Sequence, residues 1–313
     1  MCELMGMSFA KPIVASVSIQ AFSQRSQENA DGWGLAWSPD RSLAMVKQPV
    51  RWSIQHTQFL EHYPGLLSSI YIAHVRQRTT GSVPTHADTH PFARELNGRE
   101  YCFAHNGTLT GDFWQRPLGR FRPIGHTDSE FVFCLLLAEL ESFRHLAEEV
   151  EHIVDGGPAE SIKRPLTAEQ QWQWLHRFLL RLNDYGRLNC ILTDGEHMLV
   201  YHDKNGWKNL TYRSIFLHEN AMHHFGDATV AVNLQAEPVN HGFIVATNPL
   251  SVDGWERFLP GEMKVLHKGN LAFTSRPALQ DSSLKAPIAS AAPSPVAQEF
   301  QGVLASEKRA ANS

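Results

Sequence analysis

The chain has 313 residues and a formal net charge of −4 at pH 7, with acidic and basic residues interspersed. This length is enough to bury a sizeable core. No Lys/Arg cluster persists along any segment, which excludes the footprint of a nucleic-acid-binding protein. No run reaches the roughly 18 apolar residues of a membrane helix. The N-terminus lacks the basic and apolar regions of a secretory signal, so we expect a cytoplasmic protein.

The first half of the chain predicts mainly strands. β-branched and aromatic residues bounded by turn residues favour these assignments. The predicted strands are residues 2–9, 35–37, 43–46, 69–76 and 101–104. Between them we predict a helical or irregular segment at 12–21, turns at 31–34 and 39–42, a short helix at 57–68 and a polar loop at 79–89.

The second half predicts two helices. Thr127 and Glu130 have the spacing of a capping box, and a helix runs from there to about Glu149. A second helix runs over Thr167–Asn183. The later predicted strands are 189–193, 198–202, 242–247 and, last in the chain, 264–266. Strands and helices do not alternate regularly, which favours an α+β fold over a doubly wound sheet.

Cys2 follows the initiator methionine, and removal of Met1 makes it the N-terminal residue. One residue then carries a thiol and an α-amine, whose ordinary pKa of about 7.7–8.0 suits a general base near neutral pH. Taken alone, a terminal cysteine is as easily an incidental residue. Cys102, Cys134 and Cys190 form no C-x-x-C pair, so neither a disulfide framework nor a structural zinc site is expected.

Asn106 and Gly107 follow the predicted strand at 101–104. An asparagine amide beside a glycine N–H can supply two donors to the oxyanion that forms when an amide is attacked. Glycine also lets a substrate approach the backbone closely. Taken alone, Asn-Gly is more often a plain turn.

Arg76 and Asp128 are the candidate charges for binding a substrate. Arg76 ends an apolar strand, and the hydroxyls of Thr79 and Thr80 follow it. A guanidinium beside hydroxyls suits a free carboxylate. Asp128 lies at a predicted helix start, where capping explains one acidic or hydroxyl residue but not all of them. A carboxylate facing a guanidinium would bind a free amino-acid head group.

Six motifs occur in one order along the chain and together resemble the class II glutamine amidotransferase domain of the N-terminal-nucleophile hydrolases. Each motif is weak alone, but the ordered set with cysteine at position two is highly specific. The motifs are Met1–Met7, Asp31–Ala36, His74–Arg76, Thr89–Phe92, Ala104–Gly107 and Thr127–Glu130. The resemblance is closest to stand-alone bacterial members without a synthase domain. We predict this domain over residues 2–275 and, from the Ala/Ser/Pro composition, a disordered tail over 276–313.

The resemblance implies a four-layer αββα sandwich with the nucleophile at the start of the first strand. It implies that Cys2 is the nucleophile and its α-amine the base. Asn106 and Gly107 would form the oxyanion hole. We expect neither a cofactor nor a metal.

The resemblance also implies a pocket for the substrate head group. Arg76, with Thr79 nearby, would hold the α-carboxylate of glutamine or of a γ-glutamyl group, and Asp128 would hold the α-ammonium. His90 matches a motif position, without an assigned role. One segment departs from the family pattern: many members with a synthase domain have Trp-Ala-Thr-His-Gly after the arginine, whereas this chain has Gln77–Gly81. The departure affects how the glutamine pocket closes and couples to an acceptor.

The predicted reaction is hydrolysis of a γ-amide through a Cys2 thioester. The substrate is glutamine, which releases ammonia, or a γ-glutamyl peptide or amine. The chain has no G-x-x-x-x-G-K-[ST] phosphate loop. If ammonia is the product, a separate synthase must accept it. The residues do not choose between these substrates.

Three other functions remain open at this point. A catalytically silent or partner-gated regulatory module would keep the head-group pocket and bind an amino acid. A papain-like peptidase would use Cys102 or Cys190, although neither begins a helix in a Gly-rich setting. A metal enzyme would use histidines such as His86 and His90. These two lie four apart in a proline-containing loop, where that spacing does not bring side chains together.

Overall fold

The computed structural model describes residues 3–17, 30–50, 63, 66–77, 85–144, 147–152, 160–165, 167–217, 222–225, 232–235, 239–251 and 253–275. Within these ranges lie two α-helices, α1 (Asp128–Arg144) and α2 (Ala168–Leu182). The strands are β1 (Glu3–Val17), β2 (Ala30–Trp37), β3 (Ala44–Gln48), β4 (Leu67–Gln77), β5 (Phe92–Leu96), β6 (Arg99–Leu109), β7 (Ala147–His152), β8 (Glu160–Pro165), β9 (Gly186–Thr193), β10 (His197–Tyr201), β11 (Thr211–Leu217), β12 (Met222–Phe225), β13 (Val232–Gln235), β14 (Asn240–Ala246), β15 (Glu256–Arg257), β16 (Met263–His267) and β17 (Asn270–Thr274).

The first sheet is antiparallel and has β1 near its centre. Its strand order is β15-β11-β14-β1-β4-β2-β3, and β13 pairs with both β1 and β12. Glu3 to Ser8 pair with β4, and Met5 to Phe9 pair with β14. The first half of β1 therefore lies between two neighbouring strands rather than at a sheet edge.

The second sheet is also antiparallel, with the order β17-β16-β10-β9-β6-β5. Helices α1 and α2 pack on its outer face, where Phe133 and Phe178 are fully buried. Thr167 and Gln170 form a complete capping box at the start of α2, so the sequence fixes this helix end locally. A separate two-stranded sheet joins β7 and β8.

The two sheets pack face to face through small and aliphatic side chains. Leu4 and Ile72 of the first sheet belong to the same buried cluster as Ala104 and Ile191 of the second. Alternate residues of β1, such as Met5, contribute instead to a cluster on the other face of the first sheet. This period-two pattern is what a strand buried on both faces requires.

The predicted α+β fold is confirmed. The described residues form two stacked antiparallel sheets with one helical layer on the second sheet. The described residues do not test the second helical layer of the predicted αββα sandwich, and the predicted tail at 276–313 lies outside them.

Two predictions near the N-terminus are wrong. Residues 12–17, predicted as helical or irregular, belong to β1; residues 18–21 lie outside the described part. Pro12 is unsuited to a helix interior and lies where the β1–β4 register shifts, and Ile13 and Val14 favour a strand. The predicted turn at 31–34 is part of β2. Its glycines give room to a neighbouring segment rather than making a turn.

The helix predicted to reach Glu149 ends at Arg144, and β7 follows. Glu148 and Glu149 would place negative charge at the helix C-terminus, where the dipole disfavours it, whereas Arg144 is favourable there. Of the helix predicted at 57–68, residues 67–68 begin β4, and 57–62 lie outside the described part. The chain also continues past the predicted last strand into β17.

Candidate active site

The predicted site residues are described to different extents. Cys2 and Thr79 lie outside the described residues, and of Arg76 only the backbone is described. Glu3, the first residue of β1, pairs with Val75 of β4. Arg76 is the next residue of β4, so its backbone lies at the end of the first sheet where β1 begins.

Asn106 lies within β6 and is 1% exposed. The alternative interpretation of Asn106–Gly107 as a plain turn is therefore wrong, because both residues belong to a strand. Strand alternation places Asn106 on the same face of the second sheet as Ala104, which packs against the first sheet. The Asn106 side chain is thus directed between the two sheets.

The Gly107 N–H is directed toward an open edge of β6. Strand β5 pairs with β6 only as far as Phe103, and no other described strand covers the edge beyond it. Thr110 N donates to Tyr185 O at 2.9 Å on the β9 side. Because successive N–H groups of a strand point to opposite edges, those of Leu109 and Gly107 point away from β9. A Cβ on Gly107 would overlap Arg187 O and the His105 ring, so only glycine fits.

Asp128 begins α1 and reaches the same edge. Its Oδ2 accepts a 2.8 Å hydrogen bond from Leu109 N, and Ser129 Oγ lies 3.5 Å from its Oδ1. The half-buried carboxylate therefore has one oxygen anchored to β6 and a second with a weaker contact. The structure brings Asp128 and Gly107 to one edge of β6.

Thr127 and Glu130 form only half of the predicted capping box. Glu130 N donates to Thr127 Oγ1 at 3.2 Å. The Glu130 carboxylate pairs with Arg94 and accepts from Ile124 N and Gly125 N instead of capping the helix. The motif thus fixes the loop before α1 as well as the helix start, which holds Asp128 in place.

His105 links β6 to the first turn of α1. Its Nε2 lies 3.1 Å from Arg187 O, and its Nδ1 lies 2.9 Å from Ser129 Oγ. A carbonyl oxygen can only accept, so Nε2 carries the proton and Nδ1 accepts from the Ser129 hydroxyl. Burial lowers the pKa of His105 below its usual 6.5, although Asp128 opposes the shift. The neutral His105 ring therefore connects the start of α1 to β9 through its two hydrogen bonds.

This lowered pKa predicts a loss of stability in acid. Between pH 6.5 and the lowered pKa of the folded state, the unfolded chain binds a proton at His105 more readily than the folded chain does, so the free energy of unfolding falls by up to about 1.4 kcal/mol per pH unit. His105→Gln should flatten this dependence between pH 6.5 and 5.5, measured by urea unfolding. His126→Gln is the matched control, because the His126 side chain is 92% exposed. Equal slopes in His105→Gln and wild type would refute the interpretation.

The Asp31–Ala36 and Thr89–Phe92 motifs meet each other. A Cβ on Gly34 would overlap His90 O and lie 2.7 Å from Pro91 Cδ. Lys47 Nζ donates to Thr89 O at 2.7 Å and to Pro91 O at 3.1 Å. His90 is buried, and its ring centroid lies 4.2 Å from that of His74. These motifs pack a loop against β2 and β4.

The described cysteines are poor nucleophiles. Cys102 and Cys190 are fully buried. Burial raises the pKa of the Cys102 thiol to about 12 and that of the Cys134 thiol to about 11, and it raises the pKa of Cys190 strongly as well. A thiolate is the reactive form, so these positions do not suit a papain-like mechanism. Within the described ranges, no group of three His, Cys, Asp or Glu residues could hold a metal.

A family model of the class II glutamine amidotransferases matches residues 1–290. This chain belongs to the class II glutamine amidotransferases. The resemblance predicted from the six motifs is confirmed.

Two curated relatives align with most of the sequence of this amidotransferase. It is 33% identical over 293 residues to the uncharacterized protein MJ1515 of Methanocaldococcus jannaschii, covering 91% of this chain and 74% of that one. It is 30% identical over 275 residues to YafJ of Escherichia coli, a proposed glutamine amidotransferase, covering 86% of this chain and 98% of YafJ.

Solved structures show the same fold. A predicted glutamine amidotransferase from Pseudomonas aeruginosa matches with a TM-score of 0.61 and 26% identity, over 87% of this chain and all of that one. Glutamine phosphoribosylpyrophosphate amidotransferase from Bacillus subtilis matches with a TM-score of 0.54 and 16% identity. This match covers 89% of the present chain but only 50% of the B. subtilis chain, and at this identity it shows the fold alone.

Sequence reasoning missed the buried asparagine that lies beside Asn106 in this amidotransferase. Asn189 is its register partner on β9. Asn189 Oδ1 accepts from Asp203 N at 2.8 Å, and its Nδ2 donates to Trp207 O at 2.9 Å. The Asp-Lys-Asn-Gly segment from Asp203 predicts a turn, but no local signal marks Asn189 as buried.

No helix in the described part of the chain is long and apolar enough to cross a bilayer.

Proposed function

We propose that this amidotransferase hydrolyses the γ-amide of glutamine or of a γ-glutamyl compound through a thioester on Cys2. The products are glutamate and either ammonia or an amine. The observation that carries the proposal is the shared edge of β6, where the Gly107 N–H and the Asp128 carboxylate lie together beside the buried Asn106. One substrate molecule could therefore place its oxyanion at the Gly107 N–H and its ammonium group at the Asp128 carboxylate.

The proposed reaction has two stages. The α-amine of Cys2 takes the thiol proton, and the sulfur attacks the amide carbon. The tetrahedral oxyanion accepts hydrogen bonds from the Asn106 side chain and the Gly107 N–H. When the C–N bond breaks, the departing nitrogen takes the proton from the α-ammonium. Water then attacks the thioester, which releases glutamate and restores the thiol.

The proposed head-group pocket uses Asp128 and Arg76. One oxygen of Asp128 is held by Leu109 N, which fixes the carboxylate without satisfying all of its acceptor capacity. The other oxygen can accept from the substrate α-ammonium. Arg76 lies at the end of the first sheet where β1 begins and would hold the α-carboxylate, with Thr79 nearby. If the substrate is free glutamine, a separate synthase would use the ammonia.

The proposed function is tested with untagged protein whose intact mass shows that Met1 is absent. Glutamate release is measured from glutamine and from a panel of γ-glutamyl peptides and amines. We expect release from at least one of them, and the ratio of kcat/KM values identifies the substrate class. No release from any compound, by protein that begins at Cys2, would favour the regulatory binding module instead.

Asn106→Ala should lower kcat by roughly 10²–10³-fold, because one donor to the oxyanion is lost. The KM should change much less, since the bond forms mainly in the transition state. Steady-state kinetics with the best substrate measure both values. Asn209→Ala, at an exposed asparagine, is the control and should keep wild-type kinetics. A kcat within threefold of wild type in Asn106→Ala would remove this residue from the oxyanion hole.

A further inference from the structure

Glu3 is a charged residue buried in an apolar strand. It is 4% exposed, and the next residues of β1, Leu4 and Met5, are fully apolar and buried. Asn248 Nδ2 donates to both carboxylate oxygens, at 2.8 Å to Oε1 and 3.0 Å to Oε2. A buried carboxylate is costly unless it is hydrogen-bonded, and the pairing with Asn248 contributes to meeting that requirement for Glu3.

The residue before Asn248 holds the next position of β1. Leu4 N donates to Thr247 Oγ1 at 2.9 Å, and Thr247 N donates to Leu4 O at 2.9 Å. The β1–β14 pairing is therefore extended beyond its last ladder pair, Met5 with Ala246, by one backbone hydrogen bond and one to the Thr247 side chain. Two consecutive residues after β14 thus form hydrogen bonds with the first two described residues of β1.

We propose that Glu3 and Asn248 form a clamp that positions the N-terminal residue for amide attack. This inference rests on the proposed function, in which Cys2 supplies both nucleophile and base. A terminal residue is tied to the fold by one peptide bond, so its position depends on how firmly the residue after it is held. A misplacement of about 1 Å can lower a rate by about 10²-fold. Glu3 is a positioning residue, because it acts through the backbone of Cys2.

A second clamp on the same strand provides a matched control. Asn240, at the start of β14, accepts from Lys11 N at 3.1 Å and donates to Lys11 O at 3.0 Å. It grips β1 eight residues farther from the N-terminus than Glu3. Asn240→Ala removes the same kind of side-chain grip and should lower stability without affecting the chemical step.

The test measures kcat and KM for glutamate release, and the melting temperature of the protein, in four variants. We expect Glu3→Ala and Asn248→Ala each to lower kcat by about 10- to 100-fold with KM changed less than threefold. Asn240→Ala should keep kcat within threefold of wild type. The double variant Glu3→Gln/Asn248→Asp exchanges donor and acceptor and should recover most of kcat, because a hydrogen bond can form in the reverse direction. Recovery would show that the hydrogen-bonded pair is required, whichever of its two residues carries the carboxylate.

Three results would overturn the clamp: wild-type kcat in Glu3→Ala, an equal loss of kcat in Asn240→Ala, or no recovery in the exchanged pair when it folds. Amide hydrogen exchange at Leu4 gives a readout that needs no activity and should be at least tenfold faster in Glu3→Ala than in wild type. Unchanged exchange would also refute the clamp. A wild-type protein that releases no glutamate would instead refute the proposed function, and with it the catalytic role of the clamp.

Discussion

Cys2→Ala is expected to abolish glutamate release, by roughly 10⁴-fold or more in kcat, because the thioester cannot form without the thiol. Binding should survive, since the proposed head-group residues Arg76 and Asp128 are untouched. Isothermal titration with the preferred substrate measures the Kd of Cys2→Ala. This Kd should lie within about threefold of the wild-type KM when the chemical step is slower than substrate dissociation. Loss of catalysis with retained binding separates the nucleophile from a structural role.

The matched control is Cys102→Ala. Cys102 is buried between the sheets, and burial raises its thiol pKa to about 12, so it should not contribute a nucleophile. Its alanine variant should keep kcat within a few-fold of wild type. Full activity in Cys2→Ala, or complete loss in a folded Cys102→Ala, would assign the nucleophile to another thiol and would contradict the proposed mechanism.

Asp203→Ala is expected to lower the free energy of unfolding by roughly 3–5 kcal/mol. Asp203 is fully buried, and its oxygens accept four hydrogen bonds. The donors are Asn183 Nδ2, Leu188 N, Asn205 N and Trp207 N. Alanine would leave these donors without their acceptor, and backbone donors are costly to leave unsatisfied. Urea denaturation measures the change.

Asp184→Ala is the control for this prediction. Asp184 lies in the same region and pairs with Lys204, but its side chain is 66% exposed. An exposed ion pair contributes at most about 1 kcal/mol, so this variant should stay close to wild type in stability. Similar losses in Asp184→Ala and Asp203→Ala would show that local charge, rather than the buried hydrogen-bond network, stabilises this end of the second sheet.

Much of the fold was predictable from period-two apolar patterns and helix starts. Strands such as β4 and β9 carry β-branched and apolar runs, and the second helix begins at a complete Thr167–Gln170 capping box. The errors arose where a local signal had another cause. Gly34 looks like a turn residue, but its missing side chain makes room for His90 and Pro91. Only the tertiary structure distinguishes these two uses of glycine.

The candidate site was predictable in its motif residues but not in their support. Asn106, Gly107 and Asp128 stand in recognisable motifs, and the structure brings Gly107 and Asp128 to one strand edge. Asn189 is one asparagine in an apolar strand. Its position beside Asn106 depends on the register of β6 and β9, which the residues around Asn189 do not indicate. Asn248 is separated from Glu3 by 245 residues, so their pairing leaves no trace in local sequence.

The central position of β1 sets the order in which the molecule can be assembled. Met5, near its start, leaves the ribosome long before its partner Ala246. Contacts of such long sequence separation form slowly, because a large loop must close before they contribute. Until β14 has been made, the nascent chain therefore carries the first residues of β1, and the proposed nucleophile Cys2 next to them, without that partner strand. If Cys2 is the nucleophile, as we propose, catalytic competence arises only after β14 has paired with β1, late in the folding of the first sheet.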